Sequence, residues 1–156
     1  TLYYRDGGVK YEGAWVNDQM HGEGTYYYRD GAKYDGAWVK GAWHGNGTLY
    51  YRDGGVKYEG AWVNDKRHGQ GTYYYRDGAK YDGAWVKGAW HGNGTLYYRD
   101  GGVKYEGAWV NDQMHGEGTY YYSNGTKYEG AWVKGWKHGN GTMYHRDGGV
   151  KYEGAW

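Results

Sequence analysis

Six histidines return in phase along this chain, at His21, His44, His68, His91, His115 and His138. A histidine ladder can hold metal ions or carry protons, so its chemistry is the first to weigh. Each stands in an H-G-x-G stretch such as His21-Gly22-Glu23-Gly24. If these stretches belong to successive hairpins, equivalent histidines lie two strands apart, about 9.5 Å at the usual strand spacing. A zinc ion needs nitrogen ligands within ~2.1 Å, so the ladder cannot share one and no metal site is expected. Each histidine reads instead as packing beside its own H-G-x-G turn. His145 replaces a tyrosine and stands alone.

Other reactive constellations are missing. The glycine-rich stretches open strands rather than helices and lack the Lys-Ser/Thr of a phosphate loop. The single serine, Ser123, lies in no G-x-S-x-G, and there is no cysteine to serve as nucleophile, disulfide partner or thiolate ligand. Asp-Gly turns such as Asp53-Gly54-Gly55 are too poor in carboxylates for a calcium loop. No cofactor is implied. Catalysis needs one asymmetric set of groups in distinct roles, whereas nearly every polar residue here recurs six or seven times. The chain is expected not to be an enzyme.

Aromatic residues and glycine dominate the composition: 23 Tyr, 10 Trp and 33 Gly among 156 residues, with no Phe or Pro. Isoleucine is absent and leucine occurs only at Leu2, Leu49 and Leu96. A core must therefore be built from Tyr, Trp, Val and Ala against glycine. The net charge of +1 argues against nucleic-acid or membrane partners, and no apolar run approaches the ~20 residues of a membrane span. No leader is visible, so a natural version is expected to be cytoplasmic. Four Asn-Gly-Thr triplets, from Asn46, Asn93, Asn124 and Asn140, read as turns.

The elements that position these residues follow from a repeat. The motif Y-[ED]-G-A-W begins at Tyr11, Tyr34, Tyr58, Tyr81, Tyr105, Tyr128 and Tyr152, at spacings alternating between 23 and 24. Residues 1–47 and 48–94 differ only at Gln19/Lys66, Met20/Arg67 and Glu23/Gln70, which reads as recent duplication or a designed array. "KYEGAWV" is strand-forming, "NDQMHGEG" and "KGAWHGNG" carry turn chemistry, "TYYYR" and "TLYYR" are second strands, and Asp-Gly closes the hairpin. No helical period appears. About 14 short strands, from Thr1–Tyr4 to Tyr152–Trp156, are expected in an up-and-down antiparallel meander, all β, as one domain over 1–156. Gly55, Gly102 and Gly149 are expected to absorb the extra residue of the longer repeats, in the turn or in a bulge.

Alternation along a strand places Tyr11, Gly13 and Trp15 on one face and Glu12, Ala14 and Val16 on the other. The glycine leaves a trench in which flanking aromatics can lie. Tyr11, Trp15, Tyr34, Trp38, Tyr58, Trp62, Tyr81, Trp85, Tyr105, Trp109, Tyr128 and Trp132 are thus candidate groove residues for a bound peptide, because Tyr and Trp are enriched at interface hot spots. Trp43, Trp90 and Trp136, in turns, together with Lys66 and Arg67, are candidate exposed rim residues. Lys10, Lys33, Lys57, Lys80, Lys104, Lys127 and Lys151 form one row, each followed two residues later by Glu or Asp on the same face.

Taken together, "YEGAWVNDQMHGEGTYYYRDGAKYDGAW" resembles the MORN repeat (membrane occupation and recognition nexus): Y-x-G-x-W, then G-x-G, then a D-G turn, in phase throughout. The resemblance implies an elongated, twisted, groove-shaped open sheet of tandem hairpins, with no catalytic residues, acting as a scaffold that holds protein segments in its groove. It also raises weak acidic-lipid or phosphoinositide binding. This sequence departs from the family's common Glu at Ala14, Ala37 and Ala61, and from its Pro at Arg29, Arg52 and Arg76. A further expectation is head-to-tail self-association, because the stretch opens on a second-strand segment and ends on a first-strand one.

Overall fold

The computed structural model describes all residues, Thr1–Trp156. It contains no helix. Fourteen strands form one open antiparallel sheet in chain order, β1 to β14. The strands divide between two compact units, Thr1–Tyr74 and Tyr75–Trp156. The first unit holds β1 (Leu2–Tyr3), β2 (Val9–Val16), β3 (Gln19–Tyr27), β4 (Lys33–Val39), β5 (Ala42–Tyr50), β6 (Val56–Val63) and β7 (Lys66–Tyr74). The second holds β8 (Lys80–Val86), β9 (Ala89–Tyr97), β10 (Val103–Val110), β11 (Gln113–Tyr121), β12 (Lys127–Val133), β13 (Trp136–Tyr144) and β14 (Val150–Ala155).

Two kinds of turn join them. The first is a two-residue loop, Asn17-Asp18 or Lys40-Gly41, with positive φ at both positions (49° and 63°; 50° and 80°). That geometry matches the twist of the flanking strands. The second is the Asp-Gly turn: Gly31 donates its N–H to the Tyr28 carbonyl (3.1 Å) while Asp30 Oδ1 accepts the Ala32 N–H (2.9 Å).

The first turn is far shorter than the eight-residue "NDQMHGEG" expected from composition. Gln19 onward is already strand, and the histidine lies inside it. The glycine-rich chemistry serves a bulge instead. Gly13 pairs with Gly24, but the next pair is Trp15 with Met20, so β3 carries two more residues than β2 across that interval. Gly22, in the bulge, has φ of 82°, a conformation that costs a residue with a Cβ. His21 Nδ1 there accepts the Lys40 N–H of the next hairpin (3.4 Å), and His115 does the same for Lys134 (3.3 Å). His44 and His91 face Asn-Asp turns, where the aspartate makes a different bond: Asp65 Oδ1 accepts the Trp43 N–H (2.8 Å) and Asp112 Oδ1 that of Trp90 (2.8 Å). Nδ1 of His44 and of His91 is buried without a partner.

A bulge absorbs the extra residue of the longer repeats, but at Lys57, Lys104 and Lys151 rather than at the glycines. Gly55 is equivalent to Ala32, since Tyr51 N–H donates to the Gly55 carbonyl as Tyr28 N–H does to that of Ala32 (2.8 and 2.9 Å). The added residue sits in the strand. Tyr50 pairs with Val56 and Leu49 with Tyr58, leaving Lys57 between them as a one-residue bulge. Val103-Lys104 and Val150-Lys151 repeat it. A bulge lets the strand gain a residue without flipping everything that follows.

Candidate functional site

The core is a single layer of rings. Tyr11, Tyr34, Tyr58, Tyr81, Tyr105 and Tyr128 have no exposed surface. Each phenol donates to the carbonyl three residues on, as Tyr34 Oη does to Ala37 O (3.0 Å). The ring therefore lies along its own strand, across a glycine pair. A Cβ on Gly24 would come within 2.7 Å of Tyr11 Cε2, and one on Gly13 within 2.6 Å of Tyr11 Oη. The tryptophans close the sides. Trp38 meets Tyr11 and Tyr34 edge-on at 5.6 and 5.1 Å, and its Nε1–H donates to the Gly24 carbonyl (3.0 Å). In the second unit Tyr81 lies between Trp85 and Trp109 at 5.1 and 5.6 Å. Burial pushes the phenols of Tyr34, Tyr58, Tyr81 and Tyr105 well above their ordinary range.

Of the twelve candidate groove residues, eleven are thus core, and only Trp15, 41% exposed, reaches solvent appreciably. They form a floor, which a bound molecule would meet only through whatever lies on it. Each repeat adds one side chain to that layer. The double bulge pairs it across from the invariant tryptophan: Met20, Trp43 and Arg67 in the first unit, Trp90, Met114 and Lys137 in the second.

Trp43 and Trp90 are therefore strand residues, half-buried, and not the exposed turn residues expected. The short turns leave no room for them elsewhere. Trp43 stacks on Tyr34 (4.8 Å, 14°) and Trp90 on Tyr81 (4.9 Å, 13°). In the last hairpin the tryptophan stands one residue earlier, so pleat alternation turns Trp136 outward, 78% exposed. Lys137 inherits the inward place, with Nζ 4.4 Å from the Trp156 ring centroid and 5.5 Å from that of Tyr128. Arg67 is half-buried against Tyr73 (4.8 Å), whereas Lys66 is exposed beside Val63. Sequence variation at one fixed phase of a near-invariant repeat was the signal for this row.

The lysines do not form one row. Lys33, Lys80 and Lys127 lie over Tyr50, Tyr97 and Tyr144, at 4.6, 4.7 and 4.9 Å. That is the face of the Y-[ED]-G carboxylates, where Tyr27, Tyr74 and Tyr121 donate to Glu12, Glu59 and Glu106 at 2.7 Å. The Glu106 hydrogen bond, aided by burial, pushes the Tyr121 phenol up to about 12. Lys127 and Glu129 pair at 2.7 Å, which raises the lysine and lowers the carboxyl. Lys10, Lys57 and Lys104 occupy the bulge and turn toward the aromatic side instead, over Tyr4, Tyr51 and Tyr98 at 5.6, 5.7 and 5.6 Å. The bulge thus sorts charges that simple alternation would have left together.

In the second unit the aromatic face opens into a cleft of about 280 Å³. Its walls are Trp90, Leu96, Trp109, Met114 and Tyr120, with Lys104, Asp112, Gln113 and Gly135 around them. Such a surface, apolar with a few polar groups, is of the kind that holds ligands.

Tandem hairpins with buried Y-x-G-x-W rings define a class of β-repeat scaffold. Six successive segments, 11–33, 34–56, 58–80, 81–103, 105–127 and 128–150, match the MORN repeat model, and the chain belongs to that family. Its members are generally non-enzymatic repeat scaffolds. No individual curated protein matches the chain.

Proposed function

We propose that this MORN array is a non-enzymatic scaffold whose aromatic face holds a peptide segment of another protein. The near-identity of residues 1–47 and 48–94 further suggests an array designed on a repeat consensus. The observation that carries the binding reading is the cleft of the second unit. Its floor is held by rings with no freedom to collapse into it, because the Tyr rings are seated on glycine and hydrogen-bonded to backbone. A preformed apolar surface loses little entropy on binding.

Trp90, in the cleft wall, provides a reporter. Titrating a peptide library while following tryptophan emission should yield saturable binders whose signal is lost on Trp90→Leu. If no peptide saturates the signal at millimolar concentration, the binding reading fails and the sheet stands as a purely structural array.

A further inference from the structure

The exchangeable row carries the same order of chemistry in both units. The first reads Met20, Trp43, Arg67 and the second Trp90, Met114, Lys137: two apolar side chains, then a cation. The buried tyrosines and tryptophans beneath the row are constant, and the neighbouring position filled by Leu96, Tyr120 and Met143 varies only among uncharged side chains, so the row alone changes charge from one position to the next. We infer that the row selects a segment bearing two apolar side chains followed by a carboxylate, the carboxylate lying against Lys137 in the second unit. This rests on the reading of the aromatic face as a peptide site.

Three features support the ligand's acidity. The strand carboxylates Glu106 and Glu129 lie on the opposite face, bonded to Tyr121 and Tyr144. The bulge brings Lys104 into the cleft wall. Lys137 rests on the Trp156 ring, and a ring face attracts an ammonium without neutralising its charge. Asp112 is the one carboxylate of the cleft, and its Oδ1 is engaged by the Trp90 N–H.

Spacing narrows the ligand further. Successive members of the row stand two strands apart, about 9.6 Å. A helix lying along the row advances that far in roughly six to seven residues. The matching ligand therefore has apolar residues near i and i+7 and an acid near i+14, the spacing that keeps all three on one helix face.

The test uses two 20-residue helical peptides with Leu at positions 4 and 11. One carries Glu at 17 and 18, the other Lys. They are titrated into the full chain and into a variant carrying both Arg67→Met and Lys137→Met. Methionine already fills this position at Met20 and Met114, so the variant retains a native-like layer. The Glu peptide should bind the parent about fivefold or more tightly than the Lys peptide, the worth of one partly exposed ion pair. The double variant, which keeps Lys104 in the cleft wall, should lose most of that preference.

Equal affinities in the parent would overturn the inference while leaving peptide binding intact. A preference that survives undiminished in the double variant would overturn it also. If neither peptide binds, the inference falls, and the library titration above decides the wider reading separately. Binding to phosphatidylserine vesicles but not to the Glu peptide would overturn it in favour of a membrane surface.

Discussion

Replacing Gly47 by alanine tests the packing logic most directly. The new Cβ would overlap the outer edge of the Tyr34 ring, lying 2.7 Å from Cε2 and closer still to Cζ and Oη. Tyr34 cannot yield cheaply. It is fully buried, stacked on Trp43, edge-on to Trp38 and Trp62, and bonded to Ala37 O. Expelling the ring forfeits most of its burial, ~200 Å² at ~25 cal/mol per Å², or up to about 5 kcal/mol. Staying in place costs overpacking of about 1–3 kcal/mol plus off-rotamer strain. A loss of roughly 3–4 kcal/mol is therefore expected, read by urea unfolding with tryptophan emission. In a Tyr34→Ala background the obstacle is gone, and Gly47→Ala should be neutral or slightly stabilising. Gly36→Ala differs, because its Cβ would lie against Gly47 Cα and 2.6 Å from the Asn46 carbonyl oxygen. Its cost should persist in the Tyr34→Ala background. If Gly47→Ala costs under 1 kcal/mol in the parent, or the same in both backgrounds, ring seating is not what the glycine provides.

Three other outcomes follow from the same contacts. Tyr58→Phe keeps the ring but removes the Oη–Ala61 O hydrogen bond (2.9 Å); a loss of about 1 kcal/mol in urea unfolding is expected. Trp136→Ser should stay within ~0.5 kcal/mol of the parent because that ring is 78% exposed, while Trp43→Ala should lose about 2–4 kcal/mol. Burial raises the phenols of Tyr34, Tyr58, Tyr81 and Tyr105 in the fold, so the unfolded chain releases protons first. Stability should be level with respect to these groups below the unfolded tyrosine pKa, about 10, and fall as pH rises above it. A melting temperature unchanged between pH 9 and 11.5 would contradict that.

Repeat period, strand composition and the glycine–aromatic pairing are legible in the sequence, because each is a local or short-range property. Tyr11, Gly13 and Trp15 must share a face in any strand, and Asp-Gly must turn. Three features were not readable. "NDQMHGEG" has turn composition throughout, yet only Asn17-Asp18 turns. The rest continues as strand because its N–H and C=O groups find partners in β2 and β4. The location of the extra residue was equally hidden: Gly55 is the more permissive position, but the turn hydrogen bond claims it and pushes the irregularity to Val56-Lys57. Burial of the candidate groove aromatics could not be distinguished from exposure, since one layer of rings can face a ligand or be its own core.

The amino-acid sequence by itself determined that this is a one-layer array of β-hairpins whose core is tyrosine and tryptophan over glycine. Periodicity, with no Ile or Phe and only three Leu, points to that core, while the choice of an open sheet over a closed barrel is read from the strand pairing. Tertiary structure decided which side chains lie on that core and which charges share its face. Both depend on bulges, and a bulge is chosen by the pairing of two strands rather than by the residues of one. Through them Trp43 lies on Tyr34, Trp136 turns away, Lys137 comes in, and Lys104 faces the cleft while Lys127 does not.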